Sequence, residues 1–103
     1  MNPSQPRIRS EILVRLKNGI RKNQSKENIS LDLVEELASR LVHIDNPTER
    51  KGIIKSWYGD IKSADTLRKH HLNYYHPSLN RELHSVLNDV TIKFRKRFYN
   101  YFS

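Results

Sequence analysis

The sequence predicts an all-α protein, a compact bundle of four or five helices with a long amphipathic helix at its C-terminal end. Apolar residues recur with helical periodicity through most of the 103 residues, and no sustained two-residue alternation indicates a strand. A chain of this length is expected to bury one core. We therefore expect residues 1–103 to form a single helical domain, with a candidate polar linker over residues 22–29.

The first predicted helix runs over residues 4–23, with Pro6 in its opening turn. At 100° per residue its cations fall opposite the apolar stripe, so the exposed face is basic. Gly19 lies inside the pattern and weakens the helix by about 1 kcal/mol relative to alanine. The stripe itself is formed by Ile8, Ile12, Leu16 and Ile20.

The second, third and fourth helices are predicted over the middle of the chain. Ser30 is the expected N-cap of the second helix, and Pro47 opens the third, which extends to Ile61. The fourth is predicted from Ser63 to Tyr75. The apolar stripe of the second helix is predicted to comprise Leu31, Val34, Leu37, Ala38, Leu41 and Val42.

The fifth predicted helix carries the longest apolar stripe in the chain. Ser78 can cap it, and apolar residues follow at successive spacings of 4, 3, 4, 4, 4 and 3. A stripe of this length must be buried against the other helices or against a second chain. Its members are Leu79, Leu83, Val86, Val90, Phe94, Phe98 and Tyr101.

Charge is distributed unevenly along this basic chain, which has 19 Lys and Arg, 11 Asp and Glu and a net charge of +8. Residues 1–29 hold seven cations and two anions, and residues 63–103 hold seven and three, whereas the middle is nearly neutral. If the two ends lie together in the fold, they form one positive surface that attracts polyanions. If they lie apart, the charge serves only solubility.

The leading functional hypothesis is a small non-catalytic module that binds nucleic acid, either DNA or RNA, mainly through phosphate contacts. Tyr99 points away from the apolar stripe and is the aromatic ring best suited to a functional role, since bases stack on exposed rings. The candidate binding residues are Arg7, Arg15, Lys17, Arg21, Lys22, Lys93, Arg95, Lys96, Arg97 and Tyr99.

The rival hypothesis is a protein-interaction module: an adaptor, an inhibitor or an assembly subunit that associates with itself through the C-terminal helix. Exposed large aromatics are common binding hot spots, although such residues usually pack in the core. The candidate partner-binding residues are Trp57, Tyr58, Phe98 and Tyr101.

Other classes find little support in the sequence. The segment 33–60 matches a helix-turn-helix only weakly because its turn lacks glycine. His70, His71 and His76 have spacings that place no two of them on one helix face, so no metal site and no cofactor are predicted.

The chain has no cysteine, no Gly-rich phosphate loop and no nucleophile elbow, so no enzyme activity is predicted. No apolar run suggests a leader or a membrane span, and a cytoplasmic location is expected.

Overall fold

The computed structural model describes residues 7–71 and 77–102 and confirms the all-α prediction. Within these residues there is no strand, and four helices follow one another as α1 (Arg9–Arg21), α2 (Lys26–Ser39), α3 (Pro47–His71) and α4 (Pro77–Arg97). A 3₁₀ helix over Tyr99–Tyr101 completes the described chain. The predicted start of the first helix at residues 4–6 lies outside the described residues.

The helix α4 is the centre of the bundle and contacts each of the other three helices. Its predicted apolar stripe is confirmed: Phe94 and Val90 are fully buried, and Phe98 is buried at the end of the helix. Leu79 and Tyr101, at the two ends of the stripe, are partly buried against the same core. The long C-terminal helix therefore packs within the bundle along most of its length.

Pairs of interacting residues give the directions of the helices. Ser30 contacts Asp89, and Glu35 contacts Arg97 further along both helices, so α2 and α4 are parallel. The helix α3 runs antiparallel to α4, because its middle meets the end of α4 and its last turns meet the beginning of α4. The helix α1 is antiparallel to α2, since Glu11 pairs with Arg40.

The helix α2 begins earlier than predicted, and this corrects both the linker and the buried face. Ser25, not Ser30, is the N-cap, and its hydroxyl accepts a hydrogen bond from the Asn28 amide at 3.1 Å. Residues 26–29 of the candidate linker are therefore helical. Ser30 is fully buried and donates to Asp89, whereas Leu31 and Val42 of the predicted stripe are exposed.

The helix α3 is a single element where two helices were predicted. No proline or glycine interrupts residues 60–64, and Ile61 and Ala64 are both buried, so the buried face continues through the expected boundary. Asn46 caps the helix by accepting hydrogen bonds from the Thr48 and Glu49 amides at 2.9 and 3.1 Å. The predicted end at residue 75 lies outside the described residues.

The helix α1 is anchored at both ends by tertiary contacts. Asp60, buried in the middle of α3, accepts a hydrogen bond at 3.1 Å from the amide of Ile8, the residue that precedes α1. At the other end Gly19 is buried against α2, and a Cβ atom there would lie 2.7 Å from Cγ1 of Ile29. Gly19 therefore permits the close approach of the two helices and does not end α1.

A cluster of polar residues joins the end of α3 to the beginning of α4. The guanidinium of Arg68 is buried, donates to Asp65 Oδ1 at 2.8 Å and also bonds to Asn80. Burial opposes ionisation of Asp65, but hydrogen bonds from Arg68 and His84 outweigh it and hold the pKa of this carboxyl below its ordinary value. The Asp65 carboxylate therefore stabilises the fold.

Replacing Gly19 with alanine tests the contact between α1 and α2. We expect Gly19→Ala to lower the free energy of unfolding by about 1–3 kcal/mol, because the added methyl group overpacks Ile29. Gly52→Ala is the matched control, since nothing lies within 4 Å of its Cβ position; it should raise stability by up to about 1 kcal/mol through helix propensity. Urea unfolding measures both, and equal effects would contradict the close packing.

Acid titration of stability tests the Asp65 cluster. A carboxyl whose pKa is lowered by folding stabilises the folded state at pH values above its ordinary pKa. This stabilisation is lost as the pH falls through the pKa of the folded state. We expect Asp65→Asn to cost about 1–3 kcal/mol at neutral pH, with a difference from wild type that closes below about pH 4. Asp45→Asn, which removes an exposed carboxylate from the α2–α3 loop, should change stability by less than about 0.5 kcal/mol. A pH-independent difference would show that the charge of Asp65 contributes nothing.

Candidate nucleic-acid interface

The four cations near the end of the chain divide into two pairs by the partners that they contact. Lys93 and Arg97 face α2: Lys93 Nζ lies 2.5 Å from Asp89, and Arg97 Nε donates to Glu35 Oε1 at 3.2 Å. Arg95 and Lys96 pair with no carboxylate among the described residues. Two of the four charges are therefore neutralised within the protein, and two remain for a ligand.

Arg95 packs on aromatic rings instead of a carboxylate. Its Nη1 donates to the Tyr58 hydroxyl at 2.9 Å, and its Cζ lies 5.5 Å from the centre of the Tyr58 ring and 5.3 Å from that of Phe102. On the same ring of Tyr58, Lys62 Nζ approaches to 4.6 Å. Cation–π contacts of this kind orient the two charges while leaving their outer sides open to solvent.

A row of lysines on α3 extends this charge, and the sequence analysis did not identify it. Lys51, Lys55 and Lys62 are exposed and lie within about 40° of one another around the helix, since each residue advances by 100°. They span about 16 Å along α3, and none forms an ion pair with a described carboxylate. The spacing would have revealed the row if residues 47–71 had been read as one helix.

These residues together form a continuous positive surface, which we call the α3–α4 basic face. Tyr58 connects its two parts, because Lys62 of α3 and Arg95 of α4 lie against the same ring. The members of the face are Lys51, Lys55, Lys62, Arg95 and Lys96.

The predicted cations of the first helix have a different environment. Arg15 lies 2.5 Å from Glu36 of α2, Arg7 lies 3.9 Å from the buried Asp60, and Lys17 is half-buried and interacts with a neighbour. Arg21 and Lys22 are exposed at the end of α1. Most of this predicted cluster is therefore engaged within the protein.

The exposed cations at the end of α1 lie apart from the cations at the end of α4. The end of α1 and the following turn contact the first half of α4, where Ile20 and Gln24 share a cleft with Ser85 and Val86. From Val86 to Lys96 the helix rises by about 15 Å. The acidic residues of α2 also lie between α1 and the end of α4, since Glu36 pairs with α1 and Glu35 with α4.

Most of the candidate partner-binding aromatics belong to the core. Trp57 and Phe98 are only 9% and 5% exposed. Tyr58 is half-buried between its two cations, and Tyr101 packs at 6.4 Å, edge to face, on Phe98. Tyr99 differs from all four, because 68% of it is exposed.

No family model, curated protein or solved structure matches this chain. None of the helices in residues 7–71 and 77–102 has the length and apolar character that a bilayer crossing demands. Across the same residues no three acidic or histidine side chains are placed to hold a metal ion together. Of the three histidines considered as metal ligands in the sequence, His76 lies outside the described residues.

Titration of Tyr58 tests the centre of the basic face. The hydrogen bond from Arg95 is the main cause that lowers the pKa of Tyr58; burial opposes it, and Lys62 lowers the pKa further. We expect Arg95→Gln to raise this pKa towards the ordinary value of about 10. NMR of labelled tyrosine resolves the ring from the other four tyrosines of the chain.

The matched control for this titration is Arg97→Gln. It removes the same charge from the same turn of α4, but Arg97 pairs with Glu35 and does not bond to Tyr58. The pKa of Tyr58 should therefore stay close to its wild-type value. If both variants shifted it equally, the cause would be general charge and not the hydrogen bond from Arg95.

Proposed function

We propose that this chain is a non-catalytic module that binds nucleic acid mainly through phosphate contacts, and that the α3–α4 basic face is the binding surface. One observation carries the proposal: five cations without a carboxylate partner among the described residues lie together on this face, where Lys62 and Arg95 share the ring of Tyr58. Arg7, Arg15 and Arg97 elsewhere on the surface are paired, and the unpaired Arg21, Lys22 and Lys26 form a smaller group at the junction of α1 and α2. Unneutralised charge concentrated on one side of a small domain attracts a polyanion.

The chemistry of the face suits a phosphate backbone. Lysine ammonium groups act as point charges towards phosphate oxygens, and a guanidinium such as that of Arg95 can donate two hydrogen bonds at once. Each neutralised phosphate releases counterions, so the affinity falls steeply as salt rises. Binding of this kind depends little on base sequence.

The rival hypothesis of a protein-interaction module receives less support from the surface. Its aromatic candidates Trp57 and Phe98 are buried. The large apolar side chains that are exposed lie on separate elements of the described chain, namely Val14, Leu31, Val42, Ile92 and Tyr99. Self-association and a cytoplasmic location remain predictions, which sedimentation and cell imaging can check.

Two triple variants with the same change in net charge test the proposal. Lys51, Lys55 and Lys62 changed to alanine should weaken binding and lower the slope of log affinity against log salt by about two to three for a duplex. Arg21, Lys22 and Lys26, exposed at the junction of α1 and α2, changed to alanine should keep a slope near the wild-type value. Fluorescence anisotropy with labelled duplex DNA and single-stranded RNA, between about 50 and 200 mM salt, measures both.

Three results would count against the proposal. Absence of salt-sensitive binding by the wild-type chain would end the nucleic-acid hypothesis. Equal weakening by the two variants would mean that only net charge matters. Selective weakening by the α1–α2 variant would transfer the binding surface to the end of α1, one of the two basic segments that the sequence indicated.

A further inference from the structure

A small cleft at the end of the α3–α4 basic face combines an exposed ring with two cations that have no carboxylate partner among the described residues. It is lined by Arg95 and Lys96 from the last turn of α4, by Tyr99 from the 3₁₀ helix and by Phe102. The cleft is open to solvent, and Arg95 forms part of its wall while also lying against Tyr58. The cleft is therefore continuous with the row of lysines on α3.

The end of α4 explains why Tyr99 is exposed while its aromatic neighbours are covered. The α-helix ends at Arg97, and the 3₁₀ helix changes the direction of the chain, so Phe102 packs against Tyr58 at 4.9 Å between ring centres. Phe98 remains in the core beside Phe94 at 4.7 Å. Tyr99 lies between these two anchored rings in sequence and packs against neither of them.

The charges around Tyr99 favour an anionic ligand. The nearby carboxylates Glu35 and Asp89 are both engaged on the α2 side of α4, with Arg97 and Lys93. Arg95 contacts rings and a phenol, and Lys96, which lines both this cleft and the cleft beside Glu35, pairs with no described carboxylate. An aromatic surface beside two available cations matches a molecule that carries both a flat ring and a phosphate.

We propose that this cleft binds an unpaired nucleotide of a single strand, with the base stacked on Tyr99 and the flanking phosphates on Arg95 and Lys96. This inference rests on the proposed function and names its preferred substrate class. A base inside a duplex already has both of its faces stacked, so it cannot use the ring. A single strand presents free base faces, and stacking on an aromatic side chain is tolerant of sequence.

Three labelled probes of equal length, about 12 nucleotides, separate stacking from charge: a single-stranded oligouridylate, the same backbone without bases, and a DNA duplex. Wild-type protein should bind the oligouridylate more tightly than the abasic strand. Tyr99→Ala should weaken oligouridylate binding by about 5- to 100-fold, to the level of the abasic strand, and leave the other two probes within about twofold. Tyr99→Phe, which keeps the ring, should bind all three like wild type.

The outcomes distinguish this inference from the function on which it rests. If the wild-type chain binds none of the probes, both proposals fail. If it binds the oligouridylate and the abasic strand equally, and Tyr99→Ala changes neither, phosphate binding stands and stacking is refuted. If Tyr99→Ala weakens all three probes together, the ring supports the position of the cations and does not contact a base.

Discussion

Burial of the apolar stripe of α4 is the interaction on which the rest of the structure depends. Phe94, Val90 and Leu83 are almost completely inaccessible to solvent, and each such side chain contributes about 1.5–3 kcal/mol through burial. Because α4 contacts all three other helices, its rotation about its own axis decides what each neighbour meets. One side of its last turns faces α2, and the other side faces α3 and the solvent.

That rotation, together with two adjacent acids of α2, decides which cations of this basic chain are neutralised. Glu35 and Glu36 differ by about 100° in direction, and so one pairs with Arg97 of α4 and the other with Arg15 of α1. Exposed ion pairs of this kind add little to stability, roughly 0–1 kcal/mol each. Their larger effect is on the surface potential, because they neutralise Arg15 and Arg97 and leave the cations of the α3–α4 basic face unpaired.

The parts of the fold that could be predicted are those in which a long pattern leaves one interpretation. The stripes of α1 and α4 repeat over several turns, and their buried residues are confirmed. The start of α2 could not be predicted in the same way, because Ser25 and Ser30 are equally good caps on local grounds. The choice follows from packing: beginning the helix at Lys26 buries Ile29 against Gly19 and brings Ser30 to Asp89. The continuity of α3 was missed because its exposed lysines and glycines resemble a helix boundary. The burial of Ile61 and Ala64, which shows that one helix continues through this region, is seen only in the folded structure.

By itself the sequence determined the helical class of this protein, the buried face of its first and last helices, and its excess of positive charge. These properties depend on residue type and on spacing along one helix, both of which can be read from the order of the chain. Only the tertiary structure decided which cations are neutralised and which are available, and which of them lie beside the exposed ring of Tyr99. An ion pair or a covered ring depends on the residue that lies opposite, which is often tens of positions away in sequence. Only folding brings the two residues close together in space.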